Sequence, residues 1–201
     1  MATHTTRESW LAALADAMRP TFTALGYAIP EKLRVSAGWP CRNALSDAKG
    51  NRAIGQCFAP VCSADGATEL FISPVLADPM RVADVLAHEL AHAAVGTEHG
   101  HKAPFARAAH ALGLEGKATA TVAGEAFMAW AKPVVEALGP YPHAALDVTK
   151  GPVKKQATRQ LKVVCPACGY TARTTRKWLD ETGAPLCPCN SEPMEEEVKG
   201  A

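Results

Sequence analysis

The sequence predicts an α+β protein: one helical domain with a small sheet, followed by a compact ribbon closed by metal. Three observations predict it. Apolar residues recur at helical spacing around His88-Glu89-Leu90-Ala91-His92. Short extended runs separated by Gly, Pro, Asn and Asp lie between Leu33 and Leu76, upstream of that stretch. Four thiols, Cys165, Cys168, Cys187 and Cys189, arrive as two close pairs near the end. With 201 residues, 48% of them hydrophobic, the chain can bury one sizeable core and carry an appendage.

In chain order, Glu8 to Leu25 places Trp10, Leu11, Leu14, Met18, Phe22 and Leu25 on one helical face, and Gly26 stops it. Leu33 to Gly38, Ala53 to Phe58 and Glu69 to Ser73 read as three strands of one small sheet. Pro74 has no N–H for a ladder, so the third strand is expected to end there or to lie at an edge. Cys41, Cys57 and Cys62 sit among Trp39, Phe58 and Val61 and read as small buried hydrophobes. Val82, Val85, Leu86, Leu90 and Ala93 form the apolar stripe of the next helix, which Gly96-Thr97 ends. Ala103 to Leu112 and Val122 to Leu138 read as further helices, the second kinked at Pro133. His110 reads as an ordinary core or surface histidine. From Gly139 the chain turns Pro/Gly-rich and loses periodicity, which predicts a linker. The expected division is therefore a domain over 1-138, a basic linker over 139-160, a ribbon over 161-194 and an acidic tail over 195-201.

The helix around His88 carries chemistry. Residues four apart stack on one helical face, so His88 and His92 can grip one ion. Glu89, beside them, supplies the carboxylate that takes a proton from a metal-bound water. This is a zinc-hydrolase pattern, and it needs a third protein ligand. Candidates follow at once: His101 first, with His99 and Glu98 behind it, since a glycine-containing turn brings the chain back over the metal. Val95 and Glu98 stand where metzincins need Gly and His, which disfavours that class. Each ligand imidazole should donate its second ring nitrogen to an acceptor, and Asp84, Glu98, Glu115 and Glu125 are all open for that role.

The four ribbon thiols have the arrangement of two knuckles closing one tetrahedral zinc site, although Cys187-Pro188-Cys189 is one residue shorter than the usual Cys-x-x-Cys. Disulfides are the alternative; an odd total of seven cysteines and a polar opening with no secretory signal favour a reducing compartment. A ribbon this small draws its folding free energy from the metal. No apolar run approaches a membrane span, so the expected location is cytoplasmic, with no membrane partner. Net charge is only +1, yet Lys150, Lys154, Lys155, Arg159, Lys162, Arg173, Arg176 and Lys177 cluster at the ribbon without an acidic neighbour in that stretch. With Tyr170 and Trp178 close by, such a patch can neutralise phosphates and stack bases.

The run from His88 to Thr97, then Gly100-His101-Lys102-Ala103-Pro104-Phe105, then Ala111-Leu112-Gly113-Leu114, resembles the SprT-like metallopeptidases, relatives of the Spartan DNA-protein crosslink protease. The resemblance implies a small zincin-like peptidase domain and a C-terminal zinc ribbon. It implies a third zinc ligand four residues before a phenylalanine, which points to His101 before Phe105, while His99-Gly100 fits the family's more usual His-Gly letters and stays open. It further implies that an edge strand beside the zinc binds substrate backbone, with Leu70 to Ser73 as the candidate, and that the substrates are proteins bound to DNA. The expected protein is thus a zinc endopeptidase with one catalytic zinc on His88, His92 and His101, Glu89 as general base, and one structural zinc on Cys165, Cys168, Cys187 and Cys189. The alternative is a non-proteolytic DNA-binding or transcription-associated zinc protein, in which Glu89 would have no use as a base.

Overall fold

A computed structural model describes residues 4–39, 53–147, 150 and 160–197. Cys41, the basic residues Lys154, Lys155 and Arg159, and the last residues of the acidic tail lie outside the described residues. The chain divides into two compact units, Met1–Val148 and Thr149–Ala201. Both mix helices with small sheets, so the α+β expectation holds.

The first unit is built on two long helices. Helix α1 (Arg7–Ala24) opens with a capping box in which Thr6 accepts from the Ser9 N–H and the Ser9 side chain reaches back to Thr6. Its apolar face, Trp10, Leu11, Leu14, Met18 and Phe22, is fully buried. Helix α2 (Pro79–Val95) starts at Asp78, whose carboxylate accepts from the Arg81 N–H at 2.7 Å, with Pro79 in the first turn where its missing N–H costs nothing. It stops at Gly96, whose φ of 97° is open to glycine and strained for other residues. Between these helices lie β1 (Leu33–Ala37), β2 (Gly55–Phe58) and β3 (Thr68–Ile72), the three strands expected.

Strand order is β1-β3-β2, with β1 parallel and β2 antiparallel to β3. This overturns the expectation of an edge at Leu70 to Ser73. Leu70, Ile72 and Ser73 are buried because β3 is the central strand, and among the described residues the outer strand nearest α2 is β2. Pro74 ends the central strand instead of marking an edge.

After α2 come α3 (Ala103–Ala111), β4 (Leu114–Lys117), β5 (Ala120–Ala123) and α4 (Glu125–Leu138). The last helix was expected to begin at Val122. Instead Val122 and Ala123 pair with Glu115 and Leu114 in an antiparallel hairpin, and Gly124 opens the helix. Alternation over a four-residue strand is too short to separate from one helical turn. Gly113 (φ 84°) lets β4 leave α3 tightly: a Cβ there would lie 2.4 Å from the Phe127 backbone nitrogen. Beyond α4, the segment from Gly139 onward begins as part of this unit. Gly139 accepts from the Trp10 indole at 3.1 Å, Tyr141 is buried with its ring 4.9 Å from that of Trp10, and the Pro74 carbonyl accepts from the Leu146 N–H at 2.9 Å.

In the second unit β6 (Leu161–Val164) pairs with β7 (Thr171–Thr174) on one side and β8 (Glu195–Glu196) on the other, with α5 (Arg176–Thr182) between. Glu195 and Glu196, assigned to the tail by composition, are thus a strand of the ribbon. The core is small: Val163, Cys165, Cys187 and Met194, with Ala172 and Leu179 packed against it. No helix among the described residues is long and apolar enough to cross a membrane.

Candidate metal centres

One helical turn of α2 brings His88 over His92, and the turn after Gly96 returns His101 to them. The Nε2 atom of His101 lies 3.3 Å from that of His88 and 3.2 Å from that of His92. Four donors at the corners of a tetrahedron, with bonds of about 2.0–2.1 Å, sit about 3.3–3.4 Å apart. The three imidazoles are therefore spaced to hold one ion and to leave a fourth corner open. His99 is not part of the group; its ring turns toward Glu98, 3.8 Å away.

Burial sets the charge state needed for ligation. Desolvation, with the neighbouring His92 and His101 rings, pulls His88 down to about 3, and desolvation with His101 pulls His92 down to about 4. Burial lowers His101 as well. All three shifts favour the neutral ring, whose lone pair a metal needs. Phe105, fully buried, floors the site: its ring stacks on His92 at 4.0 Å and stands 4.7 Å from His88 and 5.1 Å from His101.

Glu89 is buried beside this group, and burial pushes its carboxyl up to about 8. A nearby dication would oppose that rise. Gly55, the first residue of edge strand β2, makes the room: a Cβ there would lie 2.3 Å from Glu89 Oε1 and 2.9 Å from its Cγ. The histidines and Glu89 share a cleft of about 590 Å³ whose walls are β2 on one side and Thr119 to Val122 of the hairpin on the other. Cys57 lies in the same wall, and burial with the charge of Glu89 pushes its thiol up to about 12, which keeps it protonated and inert.

Of the four acidic candidates for a ring partner, none touches a ligand histidine directly. The partner of His88 is Thr121, whose Oγ1 lies 2.8 Å from Nδ1. Gly55, Thr121 and the β2 edge escaped the sequence reading, and no local pattern marks them: each meets α2 only because the sheet and hairpin fold onto it.

The ribbon thiols form the second group. Cys165 Sγ and Cys189 Sγ are 3.8 Å apart, Cys168 and Cys187 3.6 Å, and Cys187 and Cys189 3.4 Å. Tetrahedral metal–thiolate bonds of about 2.3 Å require about 3.8 Å. The short second knuckle is accommodated by its backbone. Gly169 N–H donates to the Cys165 carbonyl and Ser191 N–H to the Cys187 carbonyl, the same five-residue turn in both knuckles. Ser191 takes the left-handed φ of 58° where Gly169 has 74°. The Cys168 N–H, directed at the Cys165 sulfur, lowers that thiol to about 7, while the Cys168 and Cys187 thiols hold Cys189 well above the ordinary range. Such a cluster accepts one thiolate readily and the rest only with a cation.

The basic patch is partly neutralised. Arg176 pairs with Glu196 at 2.6 Å and Lys162 with Glu197 at 2.7 Å. Arg173 and Lys177 stay exposed, as do Tyr170 and Trp178, and the Lys177 ammonium lies 4.8 Å from the centre of the Trp178 ring. Comparison with family models, with curated proteins and with solved structures returned no match.

Proposed function

We propose that the protein is a zinc-dependent endopeptidase of the SprT-like, zincin kind, acting on proteins bound to DNA. The observation that carries this reading is the convergence, in one cleft, of three imidazoles at tetrahedral spacing and a buried glutamate beside strand β2. Nitrogen-only donors with one open corner suit a catalytic zinc, and four thiols with none open suit a structural zinc.

When bound at His88, His92 and His101, zinc supplies a Lewis acid that acidifies water and polarises a carbonyl. Glu89 holds and takes the proton of the attacking water and delivers it toward the leaving nitrogen. An extended peptide would lie across the cleft alongside strand β2, which lines it with Gly55, Gln56 and Cys57. The hairpin wall, with Val122 and Ala120, encloses it from the other side. The ribbon contributes the nucleic-acid contact. Its exposed Tyr170 and Trp178 provide faces for stacking, and Arg173 and Lys177 provide charge for phosphate.

The test compares native protein with Glu89→Gln on a DNA-bound protein substrate, with and without single-stranded DNA. Cleavage should fall by about 10²–10⁴-fold while the zinc content stays the same. Equal cleavage by both proteins would remove the mechanism and favour a non-proteolytic DNA-binding role.

A further inference from the structure

The β4–β5 hairpin is tied to the metal helix at three points, all on one face of α2. Arg81, Asp84 and His88 follow at i, i+3 and i+7, so their side chains line up along the side that β5 covers. Asp84, only 4% exposed, accepts from the Ala123 N–H at 3.1 Å and from Arg81 Nη1 at 2.7 and 2.8 Å. The same Arg81 Nη1 lies 3.4 Å from the Thr121 carbonyl. Thr121 Oγ1 then meets His88 Nδ1 at 2.8 Å.

We propose that the β4–β5 hairpin is a clasp that orients the first metal ligand, with Thr121 as the positioning residue for His88 and the Arg81–Asp84 pair as the anchor that holds Thr121 in place. A histidine that offers its Nε2 lone pair to a metal carries its hydrogen on Nδ1, and that N–H donates to Thr121 Oγ1. The hydroxyl thereby selects the ring's tautomer and its rotation. The buried Asp84 carboxylate satisfies the N–H of Ala123, two residues along β5 from Thr121. Arg81 compensates its charge. The metal helix thus sets its own ligand through a segment more than thirty residues away in sequence. The inference rests on the reading of His88, His92 and His101 as a metal site, and its test separates the two.

The experiment is zinc affinity of the full chain, measured by chelator competition, with the four-thiol site serving as an internal reference in every variant. Native protein should hold two zinc ions; absence of the histidine-bound ion would overturn the metal-site reading and the clasp with it. Thr121→Val, which keeps the shape and removes the hydroxyl, should weaken the histidine site by about 10–100-fold and leave the ribbon site unchanged. Thr121→Ser should restore affinity to within a few-fold of native. Asp84→Asn should weaken the same site, and Asp84→Asn with Thr121→Val should cost little more than the worse single change, because both act through one path. Native affinity in Thr121→Val, or no rescue by Thr121→Ser, would overturn the clasp. Full additivity of the two changes would overturn the anchor.

Discussion

Gly55→Ala tests the placement of Glu89 without touching a metal ligand. Gly55 lies in an ordinary strand and has no left-handed φ, so its backbone accepts alanine. The new methyl carbon would stand 2.3 Å from Glu89 Oε1, and also 2.9 Å from Cδ and Cγ. Carbon and oxygen settle near about 3.5 Å, so the carboxylate must retreat by about 1 Å. Rotating the carboxylate alone does not relieve the contact, since Cγ is also too close, so the side chain must shift within the cleft it lines. Displacement of a catalytic group by about 1 Å costs on the order of 10²-fold in rate, or about 2.7 kcal/mol of activation free energy. The assay is kcat/KM for a protein substrate alongside zinc content and thermal stability. The expected outcome is loss of about two orders of magnitude with two zinc ions retained. Native kcat/KM in Gly55→Ala would refute the assignment of Glu89 as the base in this position.

Elemental analysis should find two zinc ions per chain; His101→Ala should lose most of one, paired Cys165→Ala and Cys168→Ala the other, and His99→Ala neither. Phe105→Ala removes the fully buried ring beneath the three imidazoles and should destabilise the first unit by about 3–5 kcal/mol in a denaturant titration. A strong chelator should abolish the fold of the ribbon, read as loss of protease resistance in the residue 160–197 region, because its buried core holds little besides Val163, Met194 and two of the four clustered cysteines. Arg34, paired with Asp65 at 2.8 Å and also with Glu69, holds both carboxyls below their ordinary range. Depressed folded values mean that this contribution is complete above about pH 4 and is lost as pH falls further, so Arg34→Ala should flatten the acid limb of the stability profile. An unchanged acid limb would show that the network is idle.

Parts whose partners lie close along the chain could be read from the residues alone. The 3.6-residue period of α2 dictates that His88 and His92 share a face, and the turn at Gly96 to Gly100 returns a histidine within reach, so two candidate ligands and a short set of candidates for a third were legible. The paired thiols mark a candidate tetrahedral site for the same reason. Only the tertiary structure groups His101, and not His99, with His88 and His92, because His101 packs on the ring of Phe105 while His99 turns toward Glu98. It also moved the edge of the sheet from β3 to β2, since strand order depends on which strand lies between two others, not on the composition of any one of them. Thr121 and Gly55 became functional candidates on the same terms. A threonine and a glycine carry no motif of their own, and each acquires a role only when a hairpin or a strand from elsewhere in the chain is folded against the metal helix.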